Sequence, residues 1–387
     1  MLDQTQARSH EPPAALSLPP KVRDIRLDFF RGLGMFIIFI AHVPGNPWAQ
    51  FIPARIGFSD ATEIFVFCSG MASALAFGRL FDSHGFLIGS ARIAFRCWQV
   101  FWAHIGLFMV VCASMLAIDQ LAGTGDAYVR GIELDGFIGP DTGPLLLGLM
   151  TLTYVPHYFD ILPMYLVILT LIPVAMALAR IDVRLVLAAS IALWLAASFG
   201  NIELPGERAK AASWFFNPFC WQLIFFIGFA LMRGWLPAPP ANRALTVTAA
   251  AIVMLAVPLS WQPGLDASPT LAAWHDALGL LIDKSHLGIF RLLHFLSLAY
   301  LVVLAAGAQG ARLTGPVVAI CRRVGQQALA TFMTGLTLSF LAGAAMNYSG
   351  RGLLAVAAIN LTGMALMVLA ARLVSWFKTT PWVKPVR

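Results

Sequence analysis

Ten separate runs of about 20 mainly apolar residues constrain this chain more than any other feature, because a helix of that length spans a bilayer. The runs do not alternate polar and apolar residues, which argues against a porin-like β-barrel. Only 12% of the residues are charged, about half the share in a soluble domain, which excludes an ordinary soluble enzyme and a disordered protein. The sequence therefore predicts an all-α polytopic membrane protein with about ten transmembrane helices, at approximately 29–47, 60–80, 93–118, 160–179, 184–199, 217–233, 244–260, 289–308, 327–346 and 352–375.

The charged residues predict how these helices are oriented. With the N-terminus in the cytoplasm, most of the 26 Lys and Arg residues fall on the cytoplasmic side and most of the 19 acidic residues on the other. Both termini are therefore predicted to be cytoplasmic, in tails at 1–28 and 376–387 that flank a transmembrane domain at 29–375. The net charge of +7 is then a topology signal, and no nucleic-acid partner is predicted.

Two connecting segments and the cysteines complete the overall prediction. Residues 144–158 are predicted to form a short re-entrant or interfacial segment, and the amphipathic residues 270–288 are predicted to lie along the membrane surface. The five cysteines form no CxxC pair and are odd in number, so neither a disulfide framework nor a metal site is predicted.

The first helix carries an arginine and a histidine on one face. Arg31 and His42 are eleven residues apart, which is about three helical turns and about 16 Å along the axis. Ionisable groups within membrane helices mark function by default. The pair predicts an anion-binding guanidinium near the cytoplasmic boundary and a titratable imidazole in the outer half. The alternative interpretation makes Arg31 a topology anchor and His42 an interfacial cap.

Two acidic residues open the second helix at the level of His42. Asp60 and Glu63 are three residues apart and share a helix face. A carboxylate there is expected to accept the imidazole N–H and fix its tautomer, with Glu63 the stronger candidate because it lies one turn deeper. Helix capping by Ser59 or Asp60 is the alternative.

A pair of arginines opens the third helix. Arg92 and Arg96 share one face at the cytoplasmic end, where two guanidiniums suit phosphate or another polyanion. Anchoring beside lipid headgroups explains them equally well.

Further polar side chains lie at the predicted outer ends of the helices and in the sixth helix. Aromatic rings, imidazoles, amides and acids there suit a hydroxyl-bearing acceptor, although an interfacial aromatic belt has a similar composition. The candidates for substrate binding are Asn46, His157, Tyr158, Asp160, Asn217, Gln222, Arg291 and His294.

Several ordered motifs in this chain resemble a known family. The spacing Arg31-x10-His42, followed by the outer acid and FVFCSG at 65–70, resembles the membrane acyltransferase-3 superfamily. Within it, RLDFFRGLGMFIIFIAHVPGN, GFSDATEIFVFCSGM, YFDILPMY and NPFCWQLIFFIG are similar to the OpgC branch, which is associated with succinylation of osmoregulated periplasmic glucans. The resemblance covers approximately residues 23–375.

The resemblance implies an acyl-CoA-dependent O-acyltransferase of a bacterial inner membrane, with a cytoplasmic acyl-CoA donor and a periplasmic glycan acceptor. By position, His42 matches the catalytic histidine, Arg31 its partner and Glu63 the acid of the second helix, whereas Arg92 and Arg96 match a basic pair only loosely. Succinyl-CoA is the expected donor, and no permanently bound cofactor is expected. A homodimer and a transient acyl-histidine are left open. The alternative function is a transporter or flippase for an anionic glycan or lipid, disfavoured by the missing internal repeat.

Overall fold

The computed structural model describes residues 24–200, 202–207 and 212–382. Residues 1–23 of the predicted N-terminal tail and 383–387 of the predicted C-terminal tail lie outside the described residues. The described chain is almost entirely helical, as predicted, apart from a small hairpin of β1 (Pro205–Glu207) and β2 (Ala212–Ser213) that the sequence did not predict. Its α-helices are α1 (Ile25–His42), α2 (Ala61–Ser73), α3 (Arg79–Ala122), α4 (Ala127–Gly131), α5 (Thr142–Met150), α6 (Ile161–Ala179), α7 (Arg184–Gly200), α8 (Pro218–Arg233), α9 (Arg243–Ala256), α10 (Gln262–Ala267), α11 (Pro269–Leu278), α12 (Ile289–Ala306), α13 (Pro316–Gln326), α14 (Ala328–Ser349) and α15 (Leu353–Lys378).

All ten predicted apolar runs lie on helices, and the protein is an all-α membrane protein. By length and composition, five helical segments in the described chain can each cross a bilayer; the first, Ala61–Ala122, joins α2 and α3 through a π-helical turn. The remaining four are α6, α12, α14 and α15. The apolar helices α7, α8 and α9 are shorter, and α1 carries Arg26, Asp28 and Arg31 within its length.

Helix boundaries differ from the prediction where local chemistry overrides hydropathy. Helix α1 ends at His42 instead of continuing to residue 47, because Val43 takes an extended conformation before Pro44, a position where proline disfavours helix. Helix α13 was not predicted, since its sequence PVVAICRRVGQ is too polar to register as an apolar run.

Residues 270–288 differ most from the prediction of a helix along the membrane surface. Helix α11 has no buried residue, but the chain after Gly279 turns inward and Leu287 is fully buried. The segment from Lys284 to Leu287 is therefore part of the helix bundle.

Glycines set how closely α1 and α13 approach each other. A Cβ atom on Gly32 would lie 1.8 Å from the carbonyl oxygen of Cys321, and one on Gly325 would lie 1.9 Å from that of Asp28. Close backbone approach through small residues is the usual way in which membrane helices associate. This crossing fixes α1, the helix that ends at His42.

A second pair of glycines joins α2 to α8. A Cβ atom on Gly70 would lie 2.0 Å from the carbonyl oxygen of Phe225, and one on Gly228 would lie 2.4 Å from that of Phe67. Helix α2 is thereby fixed against α8, and its first turn lies beside Gly34 in the middle of α1.

Candidate active site

The imidazole of His42 has a defined tautomer. Its Nδ1 atom lies 2.7 Å from the carbonyl oxygen of Ile38, one turn earlier in α1. A carbonyl oxygen can only accept, so Nδ1 carries a proton and, in the neutral imidazole, Nε2 keeps its lone pair. Nε2 makes no hydrogen bond within the described chain, and the side chain is half-buried. His42 is therefore in the form that can accept a proton.

The sequence predicted that Glu63 would orient His42. In the structure, Glu63 instead binds Arg291 of α12. Its Oε1 atom lies 2.6 Å from Nη2 and 2.9 Å from Nε of Arg291, and its Oε2 atom accepts the backbone N–H of Asp60 at 2.8 Å. The Glu63 side chain is fully buried. Burying a carboxylate requires a paired cation, which explains why Glu63 binds an arginine in preference to a neutral imidazole.

Asp60 caps α2 and also joins this group of charges. One of its oxygens accepts the backbone N–H of Thr62 at 2.6 Å, as the capping interpretation expected. The other lies 2.6 Å from Nζ of Lys284 and 3.7 Å from Nη2 of Arg291. Burial alone would raise the pKa of Asp60, but the ammonium and guanidinium groups hold it well below its usual value. Asp60 is therefore ionised at neutral pH.

Lys284 is the principal site residue that sequence reasoning missed, because it was assigned to a surface segment. Its Nζ atom lies 2.6 Å from Asp60, and its charge also acts on His42 and Asp160. The carbonyl oxygen of Lys284 accepts a hydrogen bond from Nε1–H of Trp221, and that of Ser285 accepts one from the backbone N–H of Asn217. These two bonds hold the backbone around Lys284. No hydropathy signal marks this loop; only the tertiary structure shows that it turns inward.

Asp160 precedes α6 and is also buried. Its side chain is 5% exposed and has no ion pair within the described residues. Burial raises the pKa of Asp160 to about 7, and the nearby Lys284 ammonium offsets only part of that effect. We refer to His42, Asp60, Glu63, Asp160, Lys284 and Arg291 as the polar cluster.

Aromatic rings enclose His42 on one side. The ring of Tyr158 lies edge-on to His42 with centroids 5.8 Å apart, and it also contacts the rings of His157 and Phe340. Tyr158 has a φ of +75°, a conformation that costs a bulky residue about 1–3 kcal/mol. Strain of this kind is found at functional sites, where surrounding contacts fix the side chain. The prediction that His157 and Tyr158 bind the substrate stays a prediction, and the structure places Tyr158 against His42.

His294 lies behind the acidic pair and not in the open site. Its Nδ1 atom is 2.7 Å from Oγ of Ser59, and both side chains are buried. A Cβ atom on Gly57 would lie 2.5 Å from the imidazole, so the loop before α2 packs directly on this ring. His294 and Arg291 together fasten the start of α2 to α12.

Three predicted substrate-binding amides make all their contacts within the protein. Asn46 exchanges hydrogen bonds with Asn360 of α15, at 2.8 and 3.1 Å. Asn217 caps α8 and donates to the carbonyl of Ile202. The side-chain amide of Gln222 accepts a hydrogen bond from the Ser190 hydroxyl and donates one to the Ser190 backbone carbonyl. Their capacity for hydrogen bonding is used in holding helices, and they are not free to bind a substrate.

The predicted donor-binding arginines are not equivalent in the structure. Arg31 is half-buried near Cys68, and its buried Nε has no hydrogen-bond partner within the described chain. Arg92 is exposed and stacks on Phe95, and Arg96 donates a hydrogen bond to Gln99. Within the described chain, neither forms a hydrogen bond with Arg31. These contacts leave their role as lipid-facing anchors open.

Arg322, which the sequence analysis counted only as a topology signal, resembles Arg31. Its Nε is also buried without a partner among the described residues. It follows Cys321, whose carbonyl contacts Gly32 at the crossing of α1 and α13. Arg31 and Arg322, each with an unpartnered Nε atom among the described residues, thus both lie beside the crossing of α1 and α13.

Comparison with known proteins identifies one family. A family model described as OpgC protein matches residues 23–379, which is most of the chain. No curated protein and no solved structure matches it.

Proposed function

The chain belongs to the OpgC family, as its motifs indicated, and from this premise we propose that it is an inner-membrane O-acyltransferase of the acyltransferase-3 type. It transfers an acyl group, for which we propose succinyl, from cytoplasmic acyl-CoA to a hydroxyl of a periplasmic glycan such as an osmoregulated glucan. Ten membrane crossings with both termini in the cytoplasm complete the proposal, supported by the distribution of Lys and Arg.

The observation that carries this proposal is the state of His42. Its Nδ1–H is fixed on Ile38, its Nε2 is unbonded within the described chain, and the ammonium of Lys284 lies nearby. This combination supplies a general base for a hydroxyl and a positive charge for the oxyanion that forms on a thioester. A carrier that moved its cargo unchanged would need neither group.

In the proposed mechanism, the acceptor oxygen attacks the thioester carbonyl carbon while its proton passes to Nε2 of His42. Lys284 stabilises the negative charge that develops on the carbonyl oxygen, and Asp60 favours the imidazolium. The C–S bond then breaks, the acyl ester is formed, and the CoA thiolate leaves and recovers the proton from His42. Glu63 and Arg291 act through position, because they fix Asp60 and the start of α2.

For the donor we propose a phosphate site at Arg31 and Arg322. Their unpartnered Nε atoms support this assignment, because a buried N–H donor without an acceptor is costly and a phosphate supplies acceptors. The length of α1 between Arg31 and His42, about 16 Å, suits a donor whose phosphates and thioester are far apart.

The test is acyl transfer by purified protein in detergent, using radiolabelled succinyl-CoA and glucan. We expect His42→Ala to lower the rate by about 10²- to 10⁴-fold, the usual contribution of a general base. The matched control is His84→Ala, because His84 is exposed and its side chain hydrogen-bonds to the neighbouring Ser83. Label transfer without sealed membranes would exclude pure transport, and full activity of a folded His42→Ala variant would overturn the proposal.

A further inference from the structure

A cleft of about 710 Å³ lies directly beside the polar cluster. It is formed by the loop before α2 and by the segment from Ser260 to Lys284. Lys284 and Arg291 line the cleft and also contact Asp60, so the cleft reaches two members of the polar cluster. The volume lies within the range of ligand sites, about 300–1,000 Å³.

The cleft contains polar groups that the protein does not use. The side chains of Arg55 and Asp276 are exposed and have no hydrogen-bond or ion-pair partner in the part of the chain that the structure describes. His275 donates Nδ1–H to the carbonyl of Leu259, which leaves its Nε2 as an acceptor. The cleft wall therefore offers both donors and acceptors, which is what a sugar's hydroxyls require.

The charges of the cleft argue against a polyanion such as the CoA phosphates. Lys284 and Arg291 are already compensated by Asp60 and Glu63. Asp276 and Asp283 then add two acidic groups, against the single uncompensated cation Arg55 among the lining residues. Phosphates favour sites with an excess of Lys and Arg, so this cleft suits an uncharged ligand.

We propose that this cleft binds the acceptor, a neutral hydroxyl-rich oligosaccharide, and presents one of its hydroxyls to His42. This inference rests on the proposed function, and it adds the location and the chemistry of the acceptor site. Lys284 joins the two parts, since it lines the cleft and acts on His42.

The test fills the cleft without changing the polar cluster. Asp276→Trp places a large ring on the cleft wall, and Ala277→Trp is its matched control, because Ala277 is exposed on the same helix but does not line the cleft. We expect Asp276→Trp to raise the KM for a neutral glucose oligosaccharide at least tenfold and to weaken its direct binding by a similar factor. The KM for succinyl-CoA and the thermal unfolding midpoint are expected to remain at the wild-type values.

Arg55→Ala provides a second variant in case Asp276→Trp fails to fold, and it is expected to raise the acceptor KM while leaving the donor KM unchanged. Wild-type acceptor binding in both variants, or equal effects of Asp276→Trp and Ala277→Trp, would overturn the inference and leave the proposed function intact. Loss of succinyl-CoA binding would also overturn it, because the cleft would then belong to the donor. The wild-type protein could bind the oligosaccharide but transfer no acyl group, while Asp276→Trp weakens that binding. This outcome would support the assignment of the cleft as an oligosaccharide site and would reject the proposed function.

Discussion

At the scale of single residues, the main result is that the acid predicted to orient His42 has another role. Glu63 and Arg291 form a buried ion pair between α2 and α12, and the imidazole is oriented by its own helix through Ile38. The helix spacing correctly placed Asp60 and Glu63 on one face. It gave no information about which cation, more than 200 residues away in the sequence, would meet them.

Breaking this pair on one side is expected to destabilise the fold. Glu63→Gln leaves Arg291 buried without its anion, and we expect a loss of about 3–5 kcal/mol in the free energy of unfolding. Adding Arg291→Met to the same protein removes the unpaired charge and is expected to restore most of the loss. Denaturation in mild detergent measures both changes.

The ion pair of Arg233 with the solvent-exposed carboxylate of Asp82 is the control for this experiment. Asp82→Asn is expected to cost less than about 1 kcal/mol, because exposed ion pairs contribute little. Equal losses for Glu63→Gln and Asp82→Asn would contradict the assignment of a buried structural pair.

Asp160 predicts a dependence of stability on pH. Its pKa is about 7 in the folded protein, above the usual 3.8, so the folded state holds the proton more tightly. Stability from this group is present at low pH and is lost as the pH rises from about 4 to about 7. Asp160→Asn removes this titration. The thermal unfolding midpoint of the variant is therefore expected to depend less on pH over that range, and the variant is expected to be more stable than the wild type at pH 8. Parallel curves for the two proteins would show that Asp160 is not buried.

At the scale of elements, close helix crossings fix the position of the site. Helix α1 carries His42 and is held against α13 through Gly32 and Gly325. The sequence located α1 well, since its apolar run is long, but α13 was missed because amphipathic helices lack a continuous apolar signal. Its partner glycine could therefore not be recognised.

A methyl group at this crossing is expected to be highly disruptive. In Gly32→Ala the new Cβ meets the backbone of Cys321 at 1.8 Å, and backbone cannot move aside as a side chain can. We expect a loss of at least about 1–3 kcal/mol, the usual effect of overpacking, and a lower yield of folded protein.

Gly106→Ala in α3 is the appropriate comparison, because no atom lies within 4 Å of the added Cβ. It is expected to be neutral or to stabilise the helix by up to about 1 kcal/mol. Thermal unfolding of the two variants in the same detergent decides the matter, and similar midpoints would argue against a tight crossing.

At the scale of the whole molecule, the sequence predicted the class of fold and the ten helical runs, because hydropathy is a property of continuous sequence. It could not predict the polar cluster. That site depends on Lys284, which lies in a polar loop and meets Asp60 from more than two hundred residues away in the sequence. The amides that looked free in the sequence, such as Asn46, are bonded to distant helices.

The proposed topology has a direct test with single cysteines in a variant that lacks the five native ones. Arg55→Cys and Arg323→Cys are both at exposed positions, and the topology assigns them to opposite sides of the membrane. In intact cells a membrane-impermeant thiol reagent is expected to label position 55 and not position 323. Position 323 is expected to react only after the membrane is permeabilised, and labelling of both in intact cells would rule out the proposed orientation.

The balance of ions around Lys284 has one more consequence. Asp60 and Glu63 match Lys284 and Arg291 in number, so a proton gained by His42 leaves an excess positive charge in a poorly hydrated space. Asp160, which burial keeps protonated up to about pH 7, also feels the Lys284 ammonium group. His42 and Asp160 therefore share one neighbouring cation, and removing the charge of Lys284 would change the activity profile against pH through both groups.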